Sequence, residues 1–173
     1  MVAWFPFVIA TKKDFPASNL KEFIAYVKAN DTKPNQGHAG VGSMFFTSCL
    51  LLNSLLGTKP TLVPFSGGAP AMNALIAGQT DFMCADVVTG APQYPDKIKL
   101  LAVTSPKRNA ALPNVPSVAE AGLPDFQPTA WNGLFAPKPT PKPVLDRLVD
   151  ALDKALDDEA TRKRLGVLGG DIP

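Results

Sequence analysis

The sequence predicts an α/β protein with a mostly parallel sheet and flanking helices. Short apolar runs alternate with amphipathic stretches, in the order β-α-β-α-β-α-β-β-α-β-α, and such alternation places parallel strands next to one another through right-handed crossovers. Two of the strand-to-helix junctions are glycine-rich. Eighteen prolines in 173 residues argue against a long-helix bundle or coiled coil, because proline interrupts helices.

Residues 3–10 (AWFPFVIA) are apolar but interrupted by Pro6, so they read as an extended segment near an edge or crossing between units. Ser18 is the expected cap of the first helix. Leu20, Phe23, Ile24 and Val27 follow at i, i+3, i+4 and i+7 as its buried stripe, with Lys21, Glu22 and Lys28 outside and Asn30-Asp31 at its end. Residues 36–42 (QGHAGVG) lead into a helix over 43–56, capped by Ser43 and stopped by Gly57. That helix carries no charge and is apolar on most faces, so it is expected to be central and largely buried. Residues 60–65 form a strand, 70–77 a helix ending at Gly78, and 79–86 and 97–103 two further strands. Residues 113–122 read as a short helix and 126–136 as an extended return. Thr140 is the expected cap of a helix with Pro141 in its first turn. Leu145, Leu148, Val149, Leu152 and Leu156 line one face of that helix, with Asp150 and Lys154 outside at i, i+4. A last helix over about 159–165 ends at Gly166.

With 17 Lys plus Arg against 15 Asp plus Glu, the net charge is +2. That balance gives no electrostatic reason to expect nucleic acid or an anionic membrane as partner. No run of about 18 apolar residues is present. The first lysine is residue 12, and no basic start precedes an apolar run, so no secretory signal is read in these residues. Cys49 and Cys84 each sit in an apolar run and read as buried thiols. A lone disulfide between them stays open if the chain is exported.

Motifs for catalysis are sparse. His38 is the one histidine; no nucleophile elbow, metal-ligand spacing or phosphate-loop lysine accompanies it, and Gly40-Val41-Gly42 lacks the third glycine of a dinucleotide fingerprint. No cofactor is expected. The informative stretch is 34–80, in which Lys59 is the sole charged residue. It contains the turns Gly40-Val41-Gly42-Ser43 and Ser66-Gly67-Gly68-Ala69, each leading from a strand into a helix. Free backbone N–H groups at a helix start, with the positive end of the helix dipole behind them, favour an anion. Ligands of open α/β sheets lie outside the carboxyl ends of the strands, where these turns fall. The same glycines also serve as ordinary tight turns in a small sheet. His38 and Ala39 precede the first turn and Phe65 the second. Asp86 ends a strand, facing the crevice or capping the following helix. Trp131 lines the crevice or packs beneath the crossover.

The ordered strings GHAGVGS, VPFSGGAPAMNALIAGQTDF, KIKLLAVTSPKR, LPNVPSVAEAGLPDF, WNGLFAPKPTPKPVLDRL and DDEATRKRLGVLGG resemble the tripartite tricarboxylate transporter substrate-binding proteins, the Bug family of periplasmic receptors, over roughly 10–170. The resemblance implies a periplasmic-binding-protein lobe of type II with the first lobe largely missing. It divides the chain into a second lobe at 10–125 and, over 126–173, a return crossover with helices that would pack on the missing lobe. It implies a periplasmic location, a small carboxylate ligand, membrane permease subunits as partners in the intact receptor, no enzymatic activity, and self-association through surfaces left bare. The implied ligand contacts are His38, Ala39, Gly40, Val41, Gly42, Ser43, Phe65, Ser66, Gly67, Gly68, Ala69, Asp86 and Trp131. The family commonly places a small polar residue where this sequence has His38. Two alternative readings are the effector-binding domain of a regulator, for which no basic helix-turn-helix is found, and an α/β enzyme using His38 and Asp86.

Overall fold

The computed structural model describes residues 2–171. In chain order the elements are β1 (Ala3–Lys12), α1 (Leu20–Asn30), β2 (Asn35–His38), α2 (Met44–Leu56), β3 (Thr61–Pro64), α3 (Gly68–Ile76), β4 (Phe82–Asp86), α4 (Val87–Gly90), β5 (Ile98–Val103), β6 (Thr129–Asn132), α5 (Lys142–Asp157) and α6 (Glu159–Val167). A 3-10 turn, Ala91–Gln93, extends α4.

The strands are ordered β3-β2-β4-β1-β5, with β6 paired to β1 off this path. β2 is parallel to β3 and β4, whereas β1 is antiparallel to β4 and to β5. Four strands therefore share one direction and β1 runs against them in their midst. Residues 3–10 thus make no bare edge. Phe7–Thr11 pair with β4, and Val8–Lys12 with β5, while Ala3–Pro6 run on beyond β4 to pair with β6. Pro6 falls where the two pairings change over, beyond the last residue paired with β4, so its missing N–H costs no ladder bond on that side.

Strand alternation builds two cores. Phe7, Ile9, Phe82 and Cys84 face α1 and α2, packing with Phe23, Leu52 and Phe126. Val8, Ala10, Met83 and Ala85 face α3, packing with Leu75, Val103 and Leu112. Cys49 of α2 and Cys84 of β4 are both fully buried, their Cα atoms 5.4 Å apart, and they form a disulfide rather than two free thiols. The end of the sheet where β2, β3 and β4 begin is pinned by Lys12, whose ammonium lies 2.9 Å from Asp81. The hydrogen bond to Asp81 raises the Lys12 pKa above its usual value.

Several local expectations need correction. Asn19, not Ser18, caps α1: its side chain accepts from the Glu22 N–H at 2.9 Å, while the Ser18 N–H donates back to the Glu22 carboxylate at 2.7 Å. Helix α2 is half exposed, with Leu50, Leu51 and Leu55 each about 40% accessible, because it lies on the sheet with no further layer outside it among the described residues. Helix α3 starts at Gly68, two residues early. Residues 113–122 form turns and no helix. Ser117 and Glu120 cap one another, which lowers the Glu120 pKa, chiefly through the Ser117 N–H. Pro113, Pro116 and the left-handed Gly122 (φ 90°) allow nothing longer. Thr140 does not cap α5; its hydroxyl donates to the Pro137 carbonyl at 2.7 Å, and Pro141 stands at the cap. Helix α6 passes through Gly166 and its left-handed stop is Gly169 (φ 77°).

Candidate functional site

β2 and β3 are neighbours in register, with His38 opposite Pro64, and the Phe65 N–H donates to the His38 carbonyl at 2.9 Å. Both glycine-rich turns therefore leave the same edge of the sheet from adjacent strands. They also touch. A Cβ built on Gly40 would lie 3.6 Å from the Phe65 carbonyl, and one on Gly68 would come within 2.7 Å of the Phe45 ring. Gly40 and Gly42 take φ of 96° and 83°, a left-handed conformation that side chains rarely adopt, and this turns their amides away from the β2 ladder.

The hydrogen bonds within the turns show which donors remain. The Gly40 N–H donates to His38 Nδ1 at 3.2 Å and the Ser43 N–H to the Gly40 carbonyl at 3.3 Å. The Ser43 hydroxyl donates to that same carbonyl at 2.7 Å and accepts from the Phe46 N–H at 3.2 Å. Its role in the structure is thus to close the turn and cap α2. The amides of Val41, Gly42, Ser66, Gly67, Gly68 and Ala69 have no protein acceptor among the described residues. They stand at the starts of α2 and α3, where the helix dipole adds positive potential. Lys59 lies at the opposite end of β3, its own N–H donating to Asp31 at 2.7 Å, so no lysine or arginine within 34–80 reaches this edge. The turns thus present neutral donors, suited to a small anion.

The other expected residues are placed differently. Ala39 and Phe65 are half-buried at the two strand ends, and Phe65 packs toward the α3-side core. His38 is 2% exposed beneath the first turn, its ring 4.7 Å from that of Phe46. Asp86 lies at the same edge on β4, but its carboxylate accepts from the Thr89 N–H at 2.7 Å and caps α4. No hydrogen bond joins it to His38 among the described residues. Trp131 is on the β1–β6 ribbon that projects past this edge, opposite Trp4, and is 60% exposed with its ring 6.2 Å from Phe135. At that exposure it is not part of either core. Sequence reasoning missed Thr104. Buried at the end of β5, its hydroxyl accepts from the Phe7 N–H and donates to the Pro128 carbonyl, both at 2.7 Å. It ties both crossing segments to the sheet, and only its strand-end position hinted at this.

An open α/β sheet crossed by one reversed strand, with amide turns at the shared carboxyl edge, defines a lobe of the periplasmic-binding-protein type. The solved structure described as the periplasmic binding protein BugD is 38% identical, with a TM-score of 0.91 over 99% of this chain and 57% of that one. MatC from Rhodopseudomonas palustris, solved with bound malate, is 44% identical, with a TM-score of 0.90 over 99% of this chain and 58% of that one. A UPF0065 protein from the TAR-I ttuE-ttuC' intergenic region of Agrobacterium vitis is 39% identical over 165 residues, covering 95% of this chain and 48% of its own length. The family model described as tripartite tricarboxylate transporter family receptor matches residues 1–172. The chain belongs to this family of solute-binding receptors, and it spans about half the length of the curated relatives it matches.

Proposed function

We propose that this chain supplies one lobe of a periplasmic receptor that hands small carboxylates to the membrane permease of a tripartite tricarboxylate-type transporter. In this reading residues 10–125 form the lobe. Residues 126–173 return across the hinge and pack on the other lobe, and in its absence the same surfaces pair with another copy. The observation that carries the proposal is the pair of touching turns at one sheet edge, with six unpartnered amides and no lysine or arginine from the surrounding stretch. The donors of Val41, Gly42 and Ser66–Ala69 grip the carboxylate, Ala39 and Phe65 frame the turns, and Asp86 and Trp131 shape the crevice rim. Malate in the related MatC is a ligand of the size and charge that this edge suits. The buried Cys49–Cys84 disulfide fits an oxidising compartment.

Calorimetry with malate, other dicarboxylates, aromatic acids and malamide tests the proposal, using this chain and a two-lobed protein that contains it. The two-lobed protein is expected to bind a carboxylate and ignore the neutral diamide. The single lobe should bind far more weakly, because half of the enclosing contacts are missing. A two-lobed protein that binds none of the acids overturns the assignment.

A further inference from the structure

His38 presents an arrangement that the amide turns do not explain. Its Nδ1 accepts the Gly40 N–H at 3.2 Å, so that nitrogen carries a lone pair and the neutral ring keeps its proton on Nε2. Nε2 has no protein partner among the described residues. Nor does it belong with the fully sealed unpartnered atoms of the interior, which are Thr11 Oγ1, Gln36 Nε2, Ser48 Oγ, Thr80 Oγ1 and Gln93 Oε1. The residue as a whole is 2% exposed, and its ring packs on Phe46. A nearly buried donor is ordinarily matched with an acceptor, and for Nε2–H that acceptor must come from outside the chain. Gln36, on the same face two residues earlier, accepts from Asn53 at 2.6 Å and makes no hydrogen bond to the ring.

We propose that His38, fixed as its Nε2–H tautomer, is a specificity-determining donor of the first turn. Nδ1 holds Gly40 in its left-handed conformation, and Nε2–H is given to an oxygen of the bound acid. This rests on the carboxylate reading above and sharpens it. The donors of the first turn are then all neutral, and Nε2–H adds one that favours an ionised carboxylate or a hydroxyl oxygen over an ammonium or amide N–H at that place.

His38 is the sole histidine, so imidazole nitrogen spectra of the labelled chain report on it alone. The free protein is expected to show the Nε2–H tautomer, and a proton on Nδ1 overturns the proposal. During titration with L-malate to saturation, the imidazole signals should move together with the amides of Val41 and Gly42, while malamide moves none of them. If the turn amides move and the imidazole does not, the carboxylate reading stands and the role of His38 falls. If neither moves, the donor role falls, while the carboxylate reading is decided by the two-lobed protein and its panel of acids. Two variants separate the nitrogens. His38→Asn puts an acceptor near the Nδ1 position and nothing near Nε2, whereas His38→Gln restores a donor near Nε2. His38→Asn should keep the Gly40 amide shift and weaken malate about tenfold, and His38→Gln should bind more tightly than His38→Asn. Equal affinities of His38→Asn and the parent overturn the donor role.

Discussion

At the scale of single residues, one side chain packs directly across the two turns. Phe45, in the first turn of α2, covers the face of Gly68, in the first turn of α3, so closely that a methyl group there would lie 2.7 Å from the ring. The backbone of Gly68 is helical, so alanine is conformationally acceptable and the penalty is steric. Gly68→Ala is expected to cost about 1–3 kcal/mol through displacement of the ring, read from urea unfolding. Phe45→Ala should remove the clash, so the double variant should lie closer to Phe45→Ala than the sum of the single effects predicts. Additive costs would show that the two turns are mechanically separate. The sequence shows the glycine and the phenylalanine but not their meeting, because 22 residues and a whole strand intervene.

At the scale of elements, the disulfide joins the helix that carries the first turn to the strand that ends at Asp86. It closes a loop with a sequence separation of 35 residues, for which loop-closure entropy gives a stabilisation of about 4 kcal/mol. Cys49→Ala with Cys84→Ala should lower stability by an amount of that order, measured by denaturant unfolding. Reducing agent should lower the parent likewise and leave the double variant unchanged. Free thiols titrated in unfolded protein that had been kept oxidised would refute the bond. Much of the element layout was legible from hydrophobic period and caps: the stripe of α1, the Ser43 cap, the Gly57 stop and the Asp150–Lys154 pair, 2.8 Å apart. What was not legible has tertiary causes. The central place of β1 depends on partners from β4, β5 and β6 that no local pattern records. The exposed face of α2 is as apolar as its buried one, so composition alone cannot say which half meets the sheet. The failed helix over 113–122 shows two prolines and a left-handed glycine outweighing a good capping pair. At the site, the two turns and the helix starts behind them were readable from glycine and serine placement, whereas the choice of cap over crevice for Asp86 and the exposure of Trp131 required coordinates.

At the scale of the whole molecule, the apolar surface is unevenly spread. Beyond the β1–β6 ribbon, Leu134 and Phe135 are 75% and 84% exposed, and Leu148 and Val149 of α5 are 55% and 56% exposed. With Ala136, Leu145 and Leu152 these residues line a groove of about 340 Å³. Helix α5 has no buried residue among those described, although its leucines share one face. Contiguous apolar surface of this kind marks an interaction face. When no second lobe covers it, the cheapest cover is the same face of another molecule, because a two-fold pairing buries both stripes at once. Light scattering of this chain is therefore expected to show mass rising with concentration toward a dimer. Phe135→Asp combined with Leu148→Asp should hold it monomeric without loss of melting temperature, since neither side chain supports either core. A parent that stays monomeric at high concentration would show that α5 and the 133–136 segment fold back on each other well enough to need no partner.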